Sequence, residues 1–215
     1  MALQSIFHCA EKAAELIDGL DYSDVIDDVI SVALSSDFKF HKYACVTIAS
    51  LLTNYKGSKP LCVYLLIDKE LAREDAENFA ALQDIHPFEF RPIVVDGTKY
   101  QNVRITLGIT VATYYRLKLH EVLPSSCNKV IYLDSDLIVL HCLSDLYHID
   151  LGRSIVGGVE DSISKIFVDR FTQHPQVEHF NAGVLLINLR KLRDIQFYRH
   201  RKRIYRLSKI HDPAW

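Results

Sequence analysis

The chain has 215 residues, 49% of them hydrophobic and 24% charged, enough to bury one sizeable core and to set one main domain as the expectation. A formal net charge of -2 gives no global electrostatic reason to grip a nucleic-acid backbone, so nucleic acid is excluded as a partner class. The five cysteines, Cys9, Cys45, Cys62, Cys127 and Cys142, lie scattered with no CxxC spacing and read as reduced core residues.

In chain order, Leu3, Ile6, Phe7, Ala10, Ala13, Ala14 and Ile17 recur at helical spacing before Gly19, which predicts an amphipathic leading helix and a helical extension over residues 1–23. Met1 to His8 lack a basic stretch followed by a long apolar one, and no run approaches the roughly 18 apolar residues of a membrane span. The expected location is cytoplasmic. Val25 to Leu34, rich in Val and Ile, reads as a buried strand that feeds the polar Ser35-Ser36-Asp37. Lys42 to Tyr55 returns to helical periodicity, Leu61 to Ile67 is a second strand, Ala72 to Leu82 an acidic helix, and Phe88 to Val95 a third strand. Val111 to Leu123 predicts a helix leading through Pro124 into the strand Lys129 to Leu133, and Gly183 to Leu189 completes the sheet.

This alternation predicts an α/β architecture with a mainly parallel central sheet flanked by helices, whose ligands gather at the carboxyl ends of the strands. The main domain is expected over residues 24–197. Residues 198–215 form a basic helix or tail, dense in Lys and Arg around His200-Arg201-Lys202-Arg203. Such a segment is either a solvated helix face or a peripheral contact for lipid head groups or a polyanionic acceptor.

Chemistry concentrates at Val130-Ile131-Tyr132-Leu133-Asp134-Ser135-Asp136. Carboxylates cannot be buried bare, so a pair that follows directly on four apolar strand residues belongs in the crevice at the strand's carboxyl end. In extended geometry residues i and i+2 face one side, which lets Asp134 and Asp136 approach one hard cation, Mn2+ or Mg2+, that bridges to phosphate oxygens. Two other readings stand beside this one. The pair is a solvated turn between strands, or it belongs to an aspartyl-phosphate phosphatase with a nucleophilic first Asp; that class usually has Thr or Val next, where this chain has Leu137.

Two further strings complete a pattern: Thr113-Tyr114-Tyr115-Arg116-Leu117-Lys118-Leu119 and Phe180-Asn181-Ala182-Gly183-Val184-Leu185-Leu186-Ile187-Asn188-Leu189. With the acidic pair, they resemble glycosyltransferase family 8, nearest to its bacterial lipopolysaccharide galactosyl- and glucosyltransferases. The resemblance runs from about Asp24 to Arg193. It implies a GT-A fold and a retaining, Mn2+-dependent transfer of a hexose from a UDP-sugar to a saccharide or glycolipid acceptor of the lipopolysaccharide type.

Carried onto this chain, the resemblance implies that Asp134 and Asp136 are metal ligands, with Asp134 also facing the donor sugar. Arg116 stands near the diphosphate, unless it is an ordinary helix-surface arginine. Asp161 hydrogen-bonds sugar hydroxyls or caps its loop, and Asn181 lines the sugar pocket or holds an isolated turn. Ser135 and Ala182 belong to the donor site with their neighbours, Gly183 permits close approach of backbone, and Asp37 sits where the family grips uracil and ribose. The family often has a second acid and an Asn beside that position, where this chain has Phe38 and Lys39. The family's later Asp-Gln-Asp and His-X-X-Gly-X-X-Lys-Pro-Trp strings do not occur before Trp215, and His211 is not carried over as a third metal ligand. The expectation is therefore a family member lacking its C-terminal part, either a hexosyltransferase or a non-catalytic nucleotide-binding remnant.

Overall fold

The computed structural model describes residues 27–100, 110–160 and 180–194. The leading helix, Asp161 and the basic tail lie outside the described residues. The described residues form six strands: β1 (Ile30–Ser36), β2 (Leu61–Ile67), β3 (Glu89–Val94), β4 (Lys129–Leu133), β5 (Val156–Glu160) and β6 (Phe180–Asn188). The α-helices are α1 (His41–Asn54), α2 (Arg73–Ala81), α3 (Leu119–Val122), α4 (Ser144–His148) and α5 (Leu189–Asp194). No described helix is long and apolar enough to cross a membrane.

The strands form one sheet in the order β3-β2-β1-β4-β6-β5. β1 pairs in parallel with β2 and β4, and β2 with β3, whereas β6 runs antiparallel to both β4 and β5. β1 and β2 are buried at every position because both faces of the sheet are covered, which explains their unbroken apolar runs. On one face Val32, Leu34, Val63, Leu65 and Ile131 pack against Ile48, Leu51 and Leu52 of α1 and Phe79 of α2. On the other, Ala33, Tyr64, Leu66, Val130 and Tyr132 meet Ala112, Tyr115, Leu119 and Leu189.

The topology makes the crevice. After β3 at one edge the chain returns to place β4 on the far side of β1, so the strand order reverses between β1 and β4, and loops leaving their carboxyl ends part there. Antiparallel β6 brings its amino-terminal end to the same place, with Leu133 opposite Val184.

Three local expectations are corrected. The first strand begins at Ile30 rather than Val25 and extends through Ser36. Asp27 is instead drawn out of any ladder by hydrogen bonds from the Asn128 amide and side chain, the Lys129 N–H and the Tyr147 hydroxyl. The helix expected over Val111 to Leu123 is a 3-10 helix over Val111–Lys118, and only Leu119–Val122 is α. Ala112, Tyr115 and Lys118, all buried, recur every three residues, the spacing at which a 3-10 helix stacks its side chains. β5 is an additional strand, unsignalled because Gly157 and Gly158 have poor strand propensity, and it forms through pairing with β6.

Candidate active site

A cavity of about 410 Å³ opens at the β1/β4 switch, lined among others by Asp37, Phe40, Thr113, Arg116, Tyr132, Asp134, Asp136 and Asn181. It is built from four segments that are distant in sequence: the end of β1, the 3-10 helix, and the facing ends of β4 and β6.

Asp134 is its centre. The Asp134 N–H donates to the Gly183 carbonyl at 2.8 Å, which fixes the residue to the start of β6. Its Oδ1 accepts from Arg116 Nη2 at 2.7 Å and from the Tyr132 hydroxyl at 3.1 Å. Among the described residues both side-chain hydrogen bonds fall on Oδ1, which leaves Oδ2 for a ligand. Arg116 is 7% exposed, so it is no surface arginine. Its guanidinium also donates to the Thr113 carbonyl at 2.9 Å and to the Ala182 carbonyl, and lies 4.4 Å from the centre of the Tyr132 ring. Tyr132 is itself bonded at 2.6 Å to the Ser35 hydroxyl. Burial pushes the Tyr132 hydroxyl well above the ordinary phenol range, with Arg116 opposing and Asp134 reinforcing, so Tyr132 stays protonated and donates to Asp134.

Asp136 is exposed and lines the same cavity. Between the acids, Ser135 is buried and its hydroxyl donates to the Ser35 carbonyl at 2.8 Å, stitching the end of β4 to β1. Asp37 is half-buried at the cavity wall, and its Oδ1 accepts from the Lys39 N–H at 2.9 Å. Asn181 is exposed in β6 and accepts from the Gly183 N–H at 2.7 Å through Oδ1, which keeps its amide donors available.

The structure thus gathers Asp37, Arg116, Asp134, Ser135, Asp136, Asn181 and Ala182 around one cavity. Phe40 and Tyr132 are additional. Tyr132 carried a signal, since it lies two residues before Asp134 on the same side of the strand. Phe40, the residue preceding α1, carried none.

The donor set suits a particular kind of cation. Among the described residues no group of three or more His, Cys, Asp and Glu side chains converges on one point. Asp134 Oδ2 and the Asp136 carboxylate are hard oxygen donors. They fit a Mg2+- or Mn2+-type ion that completes its shell with water and phosphate, and do not fit an all-protein cage.

Gly183 is required sterically. A Cβ there would lie 2.9 Å from Asp134 Oδ2 and 3.0 Å from Asn181 Oδ1. Because Arg116 and Tyr132 hold the Asp134 carboxylate, it cannot swing aside freely. Gly183→Ala is expected to leave the far-ultraviolet circular dichroism unchanged and to weaken the binding of any Mg2+- or Mn2+-type ion that uses Asp134 Oδ2 by about tenfold, the effect of disturbing a ligand's support. An affinity equal to the wild type would show that the carboxylate has room to yield.

The mainly parallel sheet, its order reversal and the acid-bearing crevice define a GT-A glycosyltransferase fold. The solved structure of the galactosyltransferase LgtC in complex with donor and acceptor sugar analogs superposes with a TM-score of 0.74 at 25% identity, over 86% of this chain and 67% of that one. The glycosyl transferase family 8 model matches residues 31–211, and the chain belongs to that family. General stress protein A of Bacillus subtilis is 25% identical over 170 residues, 78% of this chain and 58% of that protein. Probable galacturonosyltransferase-like 3 of Arabidopsis thaliana is 30% identical over 182 residues, 77% of this chain and 52% of that protein. The chain therefore spans a little over half the length of these relatives.

Proposed function

We propose that this chain carries the donor-binding unit, residues 24–197, of a retaining hexosyltransferase that moves galactose or glucose from a UDP-sugar to a saccharide or lipopolysaccharide-type glycolipid acceptor. The observation that carries the reading is Asp134, clamped by Arg116, Tyr132 and Gly183 beside Asp136 in a cavity at the strand-order reversal. Asp134 and Asp136 would hold Mn2+ or Mg2+, whose charge, when bound, offsets that of the diphosphate leaving group. Arg116 adds a fixed positive charge where negative charge develops. Asp37 and the Phe40 ring offer a hydrogen-bond acceptor and a stacking face to a nucleoside, and Asn181, Ala182 and Asp161 are assigned to the sugar. The basic segment 198–215 is assigned to the glycolipid acceptor or the membrane surface that carries it.

The family membership leaves the phosphatase reading without support. A second reading is a non-catalytic nucleotide-binding remnant of the family. Calorimetric titration with UDP, with and without Mn2+, followed by product analysis with UDP-galactose, UDP-glucose and UDP-galacturonate, separates them. Mn2+-dependent binding with sugar release supports the transferase. Binding without release to acceptor or water supports the remnant, and no Mn2+-dependent binding removes the site assignment. UDP-galacturonate is included because of the name of the Arabidopsis relative.

A further inference from the structure

Asp136 stands in a turn outside the strand ladder, and its carboxylate makes no hydrogen bond among the described residues. The peptide groups on either side of it are held instead by α1. Thr47, 0% exposed, places its hydroxyl oxygen 2.8 Å from both the Ser135 and the Leu137 carbonyl oxygens, which share its single proton, and accepts from the Leu137 N–H at 3.2 Å. One turn on, the Ser50 hydroxyl accepts from the Val139 N–H at 2.8 Å, and after another turn the Asn54 side chain donates to the Val139 carbonyl at 2.9 Å. The spacing i, i+3, i+7 puts these three polar side chains on one stripe of the helix, facing the segment from Ser135 to Val139, which among the described residues belongs to no strand.

Apart from Thr47 and His41, which bonds Asp75, the buried residues of α1 are apolar, and a buried hydroxyl there is retained only where it finds partners. We propose that Thr47 is a positioning residue for Asp136, with Ser50 supporting it: the α1 stripe substitutes for a strand and fixes the backbone that aims the second acid at the bound cation. The inference rests on the donor-site reading above. Thr47→Val keeps the side-chain shape but leaves two carbonyls and one N–H without their partner, so the Ser135–Leu137 segment must shift toward water and carry Asp136 with it.

The test is UDP binding by calorimetry, with and without Mn2+, in wild type, Thr47→Val, Thr47→Ser, Asp136→Asn and the Thr47→Val/Asp136→Asn double variant. Thr47→Val is expected to lower UDP affinity about tenfold in Mn2+ and to leave metal-free affinity unchanged; Thr47→Ser restores binding. In the Asp136→Asn background the Thr47 substitution adds nothing further, as coupled residues require. A Mn2+-dependent wild type beside a Thr47→Val variant of equal affinity overturns the inference alone. So does a loss that is the same with and without metal, or one that adds fully to that of Asp136→Asn. A wild type indifferent to Mn2+ overturns the donor-site reading, and this inference with it. Should Thr47→Val yield no folded protein, the half-buried Ser50→Ala takes its place in the same cycle, with about a threefold loss expected in Mn2+ only. An unchanged Ser50→Ala overturns the proposal.

Discussion

Asp134→Asn is expected to abolish the Mn2+-dependent part of UDP binding, a loss of more than about 100-fold, while the protein stays folded. The amide oxygen of Asn can still accept from Arg116 and Tyr132, whose hydrogen bonds reach Oδ1 at 2.7 and 3.1 Å. What disappears is the negative charge and the second anionic oxygen, Oδ2, the part turned toward Gly183. A hard divalent cation binds neutral amide oxygen much less well than carboxylate when it must also compete with water. The circular dichroism should change little, but the urea midpoint should fall, because the buried Arg116 keeps its hydrogen bonds and loses its anionic partner; metal-free UDP binding should persist at its weaker level through Asp37 and Phe40. Calorimetry in Mn2+ decides the matter: an affinity like that of the wild type would remove Asp134 from the metal site.

The elements that could be read from sequence are those whose patterns had a single physical explanation. β2 and β4 appear with the expected bounds because each is a continuous apolar run closed by a polar break, as a strand covered on both faces must be. β1 was misplaced at its start because Val and Ile near Asp27 suggest a strand, while the four hydrogen bonds that pull Asp27 aside come from residues about a hundred positions later. The sequence of the 3-10 helix predicts an α-helix because repeats of three and of 3.6 residues diverge little over so short a stretch.

The site shows the same division. Asp134 and Asp136 were legible as a pair from strand context, whereas Arg116 and the Asn181-Ala182-Gly183 string became informative only through the family resemblance. Their meeting depends on antiparallel β6, whose direction no local pattern encodes. Thr47 and Ser35 were silent. Their partners Ser135 and Tyr132 lie 88 and 97 residues away, and a threonine or serine in an apolar element gives no sign of which backbone it will meet.

Arg116→Met is expected to cost both stability and binding. Methionine replaces the aliphatic part of the side chain but removes the guanidinium, and with it the contact over the Tyr132 ring and the donors to Thr113 O, Ala182 O and Asp134 Oδ1 together. Removing one member of a buried ion pair costs about 3–5 kcal/mol when the survivor is fully desolvated. Asp134 is 35% exposed and can recruit water, which brings the expected loss down to about 2–3 kcal/mol, read as a lower urea midpoint at unchanged slope. Binding should fall as well, because the freed carboxylate loses its orientation and the diphosphate loses a fixed positive charge in a partly enclosed cavity. Arg116→Lys separates the two effects. A lysine restores the charge but not the fork that spans Ala182 and Asp134, so stability should recover in part while Mn2+-dependent UDP affinity remains well below the wild type. Full recovery of both with lysine would mean that charge alone, and not the clamp on Asp134, is what Arg116 contributes.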